Sequence, residues 1–451
     1  RAPLAARIGE ALGRPVALDG PLRLVIGFSP RLRAQAVRLP NPPGFPAAEF
    51  LRVGELSLHA DLWPLLSGEL RVRELALRDL ELRLERDAAG RGNWAAEPGA
   101  ADRRHDVAAR QGRSLDLQHV VVERAAVYFR AGEAPFRLDI ATLTGDARRG
   151  HPLQLDLTGA VNGGREFALS LRGAALEDLA GPAPWRFALE GRVGAATLKG
   201  EGAIAEFAAA PRVGLQFEAR APDAGAFATP AVASRLAGPA ELAGTLEAGG
   251  GGITLRGLRG SLGETAFSGE LALETAGDRP RLSGALELPR IDAAPFLAGG
   301  REAPRNLAGL LRENAGRKVD LRAPAAVDLD LRLAVGEWVN LPGGVRDSTL
   351  RLVSDRGRVR VPLAATVAGA RFEGELASPG PGARGLRARL ATRDAPLAGL
   401  AELLFGARHI DGRVDGFEAV LDAEGQTVAE LLDSLALDAV MQNARYSYGN
   451  Y

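Results

Sequence analysis

The most regular feature of this chain is the alternation of apolar and polar residues in short segments separated by glycine turns. Between residues 327 and 335 every second residue is apolar, and Asp330 and Arg332 stand between the apolar positions. Residues 359–367 resume the pattern after a Ser-Asp-Arg-Gly turn. A period of two is typical of a β-strand with one dry face and one wet face. The chain is therefore predicted to be mostly β.

Residues 70–84 keep this alternation but contain two three-residue steps, from Val72 to Leu75 and from Leu77 to Leu80. In a regular strand, such a step turns the apolar residues that follow it to the opposite face. The steps therefore predict β-bulges, or breaks between short strands.

The chain also contains internal similarity and few helical patterns. Residues 263–271 (GETAFSGEL) closely match residues 369–376 (GARFEGEL), which indicates a repetitive meander rather than several unrelated domains. Short helices are predicted at residues 308–312, at residues 394–405 and after the capping box of Thr427 and Glu430. Because strands separate these helices, we expect them to cap or cover the sheet.

Composition excludes several classes of function. The 56 basic and 56 acidic residues balance, and aromatic residues are sparse, so we expect no nucleic-acid partner. The absence of cysteine excludes disulfides, thiolate metal sites and cysteine nucleophiles. The five histidines are scattered, and neither a serine nucleophile elbow nor a phosphate-binding glycine loop is present. We therefore predict no catalytic residue, no metal and no cofactor, and we expect that the protein is not an enzyme.

Several motifs in the chain resemble the AsmA family. The N-terminal motifs are residues 13–22 (GRPVALDGPL), 41–45 (NPPGF), 62–68 (LWPLLSG) and 85–94 (ERDAAGRGNW). Similar segments follow at residues 291–297, 327–376 and 425–435. The first 94 residues carry the resemblance with the highest specificity, whereas residues 135–260 carry it mainly as a pattern.

The resemblance implies a fold, a location and a role. The implied fold is an elongated, curled antiparallel β-sheet that forms a hydrophobic groove and carries a few short capping helices. The implied location is the periplasm of Gram-negative bacteria, with an N-terminal helix in the inner membrane. That helix is absent from this chain, so we expect it upstream of Arg1, and we expect further sequence after Tyr451. The family is linked to phospholipid movement between the two membranes and to outer-membrane integrity.

We predict three segments along the chain. Residues 1–97 are expected to form an N-terminal AsmA-type β domain with short helices. Residues 98–113 are polar and lack periodicity, so they are predicted to be a flexible linker. Residues 114–451 are expected to form the repetitive β-groove region.

Our leading hypothesis is that the dry face of the sheet binds phospholipid acyl chains. For any single apolar residue, ordinary core packing is the favoured interpretation, and only the collective pattern supports a groove. The candidate lining residues are Leu115, Leu117, Phe167, Leu169, Val327, Leu329, Leu331, Leu333, Val335, Val359, Val361, Leu363 and Phe372.

The main alternative is a non-enzymatic scaffold or assembly factor for outer-membrane proteins. The exposed edge of a sheet can pair with a strand of another protein without any lipid being carried. A conduit should copurify with acyl chains, whereas a scaffold should not. A secreted β-sandwich or adhesin module is disfavoured by the N-terminal resemblance, and an enzyme is the least favoured reading.

Overall fold

The chain is mostly β, as predicted. The computed structural model describes residues 14–63, 70–85, 92–94, 115–131, 134–162, 164–207, 211–226, 238–275, 277, 279–297, 306–319, 327–378, 385–406 and 410–448. Contacts divide the chain into two compact units. The first unit contains residues 1–220, 246–251 and 276–278, and the second contains residues 221–245, 252–275 and 279–451.

The first unit is built on strands that pair mostly with their neighbours in sequence. They are β1 (Ala17–Leu18), β2 (Leu22–Val25), β3 (Arg31–Pro40), β4 (Glu49–Ala60), β5 (Leu70–Glu85), β6 (Leu115–Ala131), β7 (Ala134–Asp146), β8 (Pro152–Val161), β9 (Arg165–Ala175), β10 (Trp185–Val193), β11 (Ala196–Ala205) and β12 (Arg212–Ala221). Strand β3 pairs with β1, β2 and β4, and from β4 to β12 each strand pairs with the next.

The second unit has the same sequential pairing. Its strands are β13 (Ala240–Gly249), β14 (Gly252–Leu262), β15 (Thr265–Glu274), β16 (Arg281–Asp292), β17 (Asp328–Val339), β18 (Arg346–Asp355), β19 (Arg358–Val367), β20 (Ala370–Ala377), β21 (Leu386–Pro396), β22 (Ile410–Ala423) and β23 (Ala436–Tyr448). The last residues of β13 belong to the first unit. From β14 to β23 each strand pairs with the next.

Three short helices lie where the sequence predicts them. They are α1 (Leu307–Glu313), α2 (Leu397–Phe405) and α3 (Val428–Asp433). The hydroxyl of Thr427 accepts a hydrogen bond from the backbone N–H of Glu430 at 3.2 Å, so the predicted cap of α3 is confirmed. Helix α2 begins after Pro396 without a side-chain cap. Residues 394–396, predicted as the start of this helix, instead end β21, and Asp394 accepts a hydrogen bond from Arg413 at 2.5 Å.

Two of these strand pairs, β5–β6 and β16–β17, are parallel, and the other pairs are antiparallel. Parallel neighbours need a crossover connection of about a dozen residues or more, and residues 86–114 and 293–327 supply the two connections. The predicted linker at residues 98–113 lies outside the described residues, so the three predicted segments stay predictions. The strands that flank it are direct neighbours, with Leu70 opposite Leu115.

The three-residue steps are bulges within one continuous strand, not breaks between short strands. The pairing of β5 with β6 skips one residue at each step. At the second step the skipped residues align across five neighbouring strands, and we call this line the crease. It consists of Ala36, Gly54, Asp79, Arg124 and Ala141. Because every strand inserts one residue at the same level, the sheet bends there while its apolar residues keep to one face.

Candidate functional site

In the second unit, the alternation places the apolar residues of neighbouring strands on one face, the second-unit apolar face. One row of direct cross-strand partners runs from β16 to β22 through Leu286, Leu333, Leu350, Leu363, Gly374, Leu390 and Ala419. A second row runs from β19 to β22 through Val361, Leu376, Ala388 and Leu421. Cross-strand partners have their Cβ atoms about 5 Å apart, so these rows form continuous apolar surface.

The predicted lining residues of this unit differ in their burial. Seven of them are half-buried: Val327, Leu329, Leu331, Leu333, Val361, Leu363 and Phe372. Val335 and Val359 are buried. Helix α2 packs against β21 and β22 at one end, where Ala395 and Val414 are fully buried. The helix therefore covers one end of β21 and β22, whereas most of the predicted lining residues of this unit stay partly exposed.

The opposite face of the second unit is charged. Asp330 accepts two hydrogen bonds from Arg351, at 2.8 and 3.0 Å, and one from Arg281 at 2.9 Å. The hydrogen bond from Arg351 is the main reason why the pKa of Asp330 lies below its ordinary value. Arg387 pairs with Asp422 at 2.6 Å across β21 and β22. One face of this sheet is thus suited to water and the other to apolar groups.

The first unit has a comparable face, the first-unit apolar face. One of its rows passes through Val122, Leu143, Leu157, Leu169, Gly191 and Leu198. Of the predicted lining residues, Leu117 and Leu169 are half-buried, whereas Phe167 is only 5% exposed. The backbone of Leu115 pairs with Leu70, and its side chain lies outside the described residues.

Glycines lie beneath several of the large apolar side chains. A Cβ atom at Gly159 would lie 2.8 Å from Cζ of Phe167 and 2.0 Å from the carbonyl oxygen of Asp139. A Cβ atom at Gly173 would lie 2.2 Å from the indole of Trp185. The rings therefore lie across the backbone of the neighbouring strand, in space that a side chain would otherwise fill. The sequence analysis missed this role of glycine.

The N-terminal motifs that carry the family resemblance meet in a buried polar cluster. Asn93 is fully buried, and its Oδ1 accepts a hydrogen bond from the backbone N–H of Glu85 at 3.0 Å. Its Nδ2 donates to Asn41 Oδ1 at 2.9 Å and to the carbonyl oxygen of Arg83 at 2.7 Å. Arg14 donates to the Asn93 carbonyl at 2.6 Å. These motif residues join separate segments of the first unit by hydrogen bonds, so the cluster has a structural role.

A cleft of about 1310 Å³ in the first unit is lined by apolar residues and by paired charges. Arg124 donates to Asp79, and Arg137 donates to Asp139 at 2.8 Å while its guanidinium lies 5.3 Å from the centre of the Tyr128 ring. The hydrogen bond from Arg124 lowers the pKa of Asp79. Because these guanidinium groups already face carboxylates, the cleft is not well suited to binding an anion.

The part of the chain that the structure describes contains neither a candidate metal site nor a helix that could span a membrane. No group of three or more histidine, aspartate or glutamate side chains in that part has the spacing of a metal site. Among the same residues, no helix is long and apolar enough to cross a membrane.

Comparison with known proteins finds a family match over the first part of the chain. The AsmA family model matches residues 2–134, which include the four N-terminal motifs and the strands up to β6. No curated protein and no solved structure matches the chain. The resemblance to the AsmA family is thus confirmed over residues 2–134, its most specific part.

Proposed function

We propose that this protein is a periplasmic lipid-binding conduit that moves phospholipid between the inner and outer membranes and so supports outer-membrane integrity. The match of residues 2–134 to the AsmA family supports a role connected with lipids and the outer membrane. The observation that carries the finer proposal is the row of half-buried Leu333, Leu350 and Leu363 across β17, β18 and β19, on the face opposite the Asp330–Arg351 pair.

Acyl chains are costly to hydrate. Each methylene group removed from water gains about 0.8 kcal/mol, so a two-chain lipid does not cross an aqueous compartment unshielded. Each row of apolar residues runs across several strands and has a similar row beside it. An acyl chain that leaves one row therefore meets another apolar surface. The phosphate headgroup would stay in water beside the face, and no tight headgroup pocket is needed.

The same proposal includes the location and the absence of catalysis. The protein would act in the periplasm, held to the inner membrane by a helix that precedes this chain. Its ligands would be the acyl chains of phospholipids, and it would need neither cofactor nor metal.

The scaffold alternative has one supporting observation. Among the described strands, β23 pairs with β22 alone, and its Leu437 and Met441 are more than half exposed. An edge of this kind can accept a strand from an outer-membrane protein.

Native mass spectrometry with lipid extraction distinguishes the two functions. The chain would be purified from a Gram-negative host without added lipid. Phospholipid bound at one or more molecules per chain is the expected result. A stably folded, lipid-free monomer would contradict the conduit and favour the scaffold.

A further inference from the structure

One end of the first unit carries a group of apolar side chains that face solvent. Leu24, Val25 and Ile26 are 59, 61 and 78% exposed, Phe28 is 82% exposed and Trp63 is 71% exposed. We call these five residues the tip. Scattered exposed apolar residues are ordinary on protein surfaces, but a contiguous group that includes two aromatic rings marks an interaction surface.

The pairing of the strands brings the two parts of the tip together. Val25, at the end of β2, is the cross-strand partner of Arg31, and Arg31 is the partner of His59 in β4. The backbone N–H of Ala60 donates to the carbonyl oxygen of Pro30 at 3.0 Å. Phe28 lies two residues before Pro30, and Trp63 lies three residues after Ala60. The aromatic residues therefore project from adjoining segments at the same end of the sheet.

Unbalanced positive charge stands beside the tip. Arg23 and Arg33 are direct cross-strand partners, and like charges in that relation are unfavourable unless an anion lies between them. Nε of Arg33 lies 3.5 Å from Oε1 of Glu55. No ion pair joins Arg23 or Arg31 to any residue within the described part of the chain. Phosphate groups are well matched to such exposed guanidinium groups.

The tip also adjoins the first-unit apolar face. Leu24 begins a row of direct cross-strand partners that continues through Leu32, Leu58, Leu75 and Val120. An acyl chain that left a membrane at Leu24 would therefore meet a continuous apolar row without crossing the charged face.

We propose that the tip inserts into the interface of a phospholipid bilayer and that this contact is where lipid passes between the membrane and the first-unit apolar face. Tryptophan and phenylalanine favour the level of the headgroups, and arginines beside them bind acidic lipids. The passage of lipid at the tip rests on the proposed function, whereas insertion of the tip into a bilayer does not.

The test is co-sedimentation of the full 451-residue chain with phosphatidylcholine vesicles, with and without phosphatidylglycerol. The double variant Phe28→Ser/Trp63→Ser should lose at least about tenfold in vesicle affinity, because two interfacial aromatic anchors are removed. The matched control Phe207→Ser/Phe405→Ser removes two other exposed rings, 51 and 77% exposed, and should bind like the parent chain. Arg23→Glu should weaken binding only to vesicles that contain phosphatidylglycerol, and Arg186→Glu, at an exposed position of β10, should not.

Equal binding by the tip variant and the parent chain would overturn the proposal. Self-association of the parent chain that the tip substitutions abolish, without vesicle binding, would also overturn it by making the tip a contact between copies. The acyl-chain content of the same samples separates this proposal from the conduit. A lipid-free parent chain whose vesicle binding depends on the tip supports insertion and contradicts the conduit. A lipid-loaded parent chain that binds no vesicles supports the conduit and contradicts insertion of the tip.

Discussion

Arg124 donates two hydrogen bonds to Asp79 across two parallel strands, from Nε to Oδ1 at 2.7 Å and from Nη2 to Oδ2 at 3.0 Å. Both residues have left-handed backbone conformations, with φ values of 54° and 52°. Such a conformation is unfavourable for residues other than glycine. The ion pair therefore joins two strained bulges at the centre of the crease and keeps them at the same level in the sheet.

Substitutions at Asp79 should separate backbone strain from the ion pair. Asp79→Ala removes the carboxylate and leaves a Cβ in the left-handed conformation, whereas Asp79→Gly removes the carboxylate and tolerates that conformation. We expect a lower urea midpoint for the alanine variant than for the glycine variant. Ala36→Gly, in the same crease at a φ of 49°, should raise the midpoint because it relieves strain without removing an ion pair. Equal midpoints for the two Asp79 variants would show that backbone strain is unimportant there.

Asp330 should make the stability of the second unit depend on acid pH. Its pKa is lowered in the folded chain, chiefly by the hydrogen bond from Arg351, so its ionised form stabilises the fold. This contribution is complete above the ordinary aspartate pKa of about 3.9 and is lost as the pH falls through the lower, folded value. Asp330→Asn should therefore be less stable than the parent chain at neutral pH, by no more than about 1 kcal/mol because Arg351 is largely solvated.

The difference in stability between Asp330→Asn and the parent chain should close as the pH falls through the lowered pKa of Asp330. Urea unfolding at a series of pH values measures it. A difference that stays constant across the series would mean that the charge of Asp330 does not contribute.

Removing the buried amide of Asn93 should destabilise the first unit strongly. Asn93→Ala removes the hydrogen bonds that Asn93 makes to the backbone N–H of Glu85, the carbonyl oxygen of Arg83 and Oδ1 of Asn41 in a buried site. We expect a loss of about 2–4 kcal/mol in the free energy of unfolding. The exposed Gln216 of β12 supplies the control, since Gln216→Ala should change stability by less than about 0.5 kcal/mol. A similar loss of unfolding free energy in both variants would contradict the structural role assigned to the cluster.

Two glycines of the first unit offer a direct test of the contact beneath Phe167. Gly159→Ala places a methyl group against the Asp139 carbonyl and the phenylalanine ring, so we expect a loss of about 2 kcal/mol or more. At Gly164 a Cβ atom would meet nothing within 4 Å, and Gly164→Ala should be tolerated. Thermal unfolding compares the two. A tolerated alanine at position 159 would show that the ring does not need the glycine.

The alternation of apolar residues was sufficient to predict the strands, because period two fixes which side chains share a face. The three-residue step from Leu77 to Leu80 predicted a bulge, but one chain segment does not reveal that Ala36 and Arg124 occupy the same level in neighbouring strands. That alignment depends on register between segments far apart in sequence.

Other features depend on partners that the sequence does not identify. The match between Phe267 and Phe372 indicated a repeat, yet Phe267 lies over Gly260 of the preceding strand, and this needs the hairpin pairing. The parallel pairs were not predicted either, because the sequence of a crossover connection cannot be distinguished from that of a long loop. Half-burial of Leu331 and Leu363 also depends on what packs above the face, which alternation does not encode.

The sharpest test of the second-unit apolar face compares two adjacent residues of β17. Leu331 lies on the apolar face and is half-buried, whereas Arg332 lies exposed on the charged face opposite Arg351. Leu331→Asp places a carboxylate among Leu352 and other apolar partners, where an acyl chain would leave it without water. An unpaired charge in that position costs several kcal/mol, on the order of 3 or more, so the variant should lose most of its bound lipid.

Arg332→Asp puts the same side chain beside a cation in water, and the amount of bound lipid should stay that of the parent chain. The measurement is acyl chains per folded chain, by mass spectrometry after extraction, with circular dichroism to confirm that both variants fold. Because the two positions share a strand, a general effect on β17 would reduce lipid in both. Equal lipid content in two folded variants would mean that acyl chains do not contact the face on which Leu331 lies.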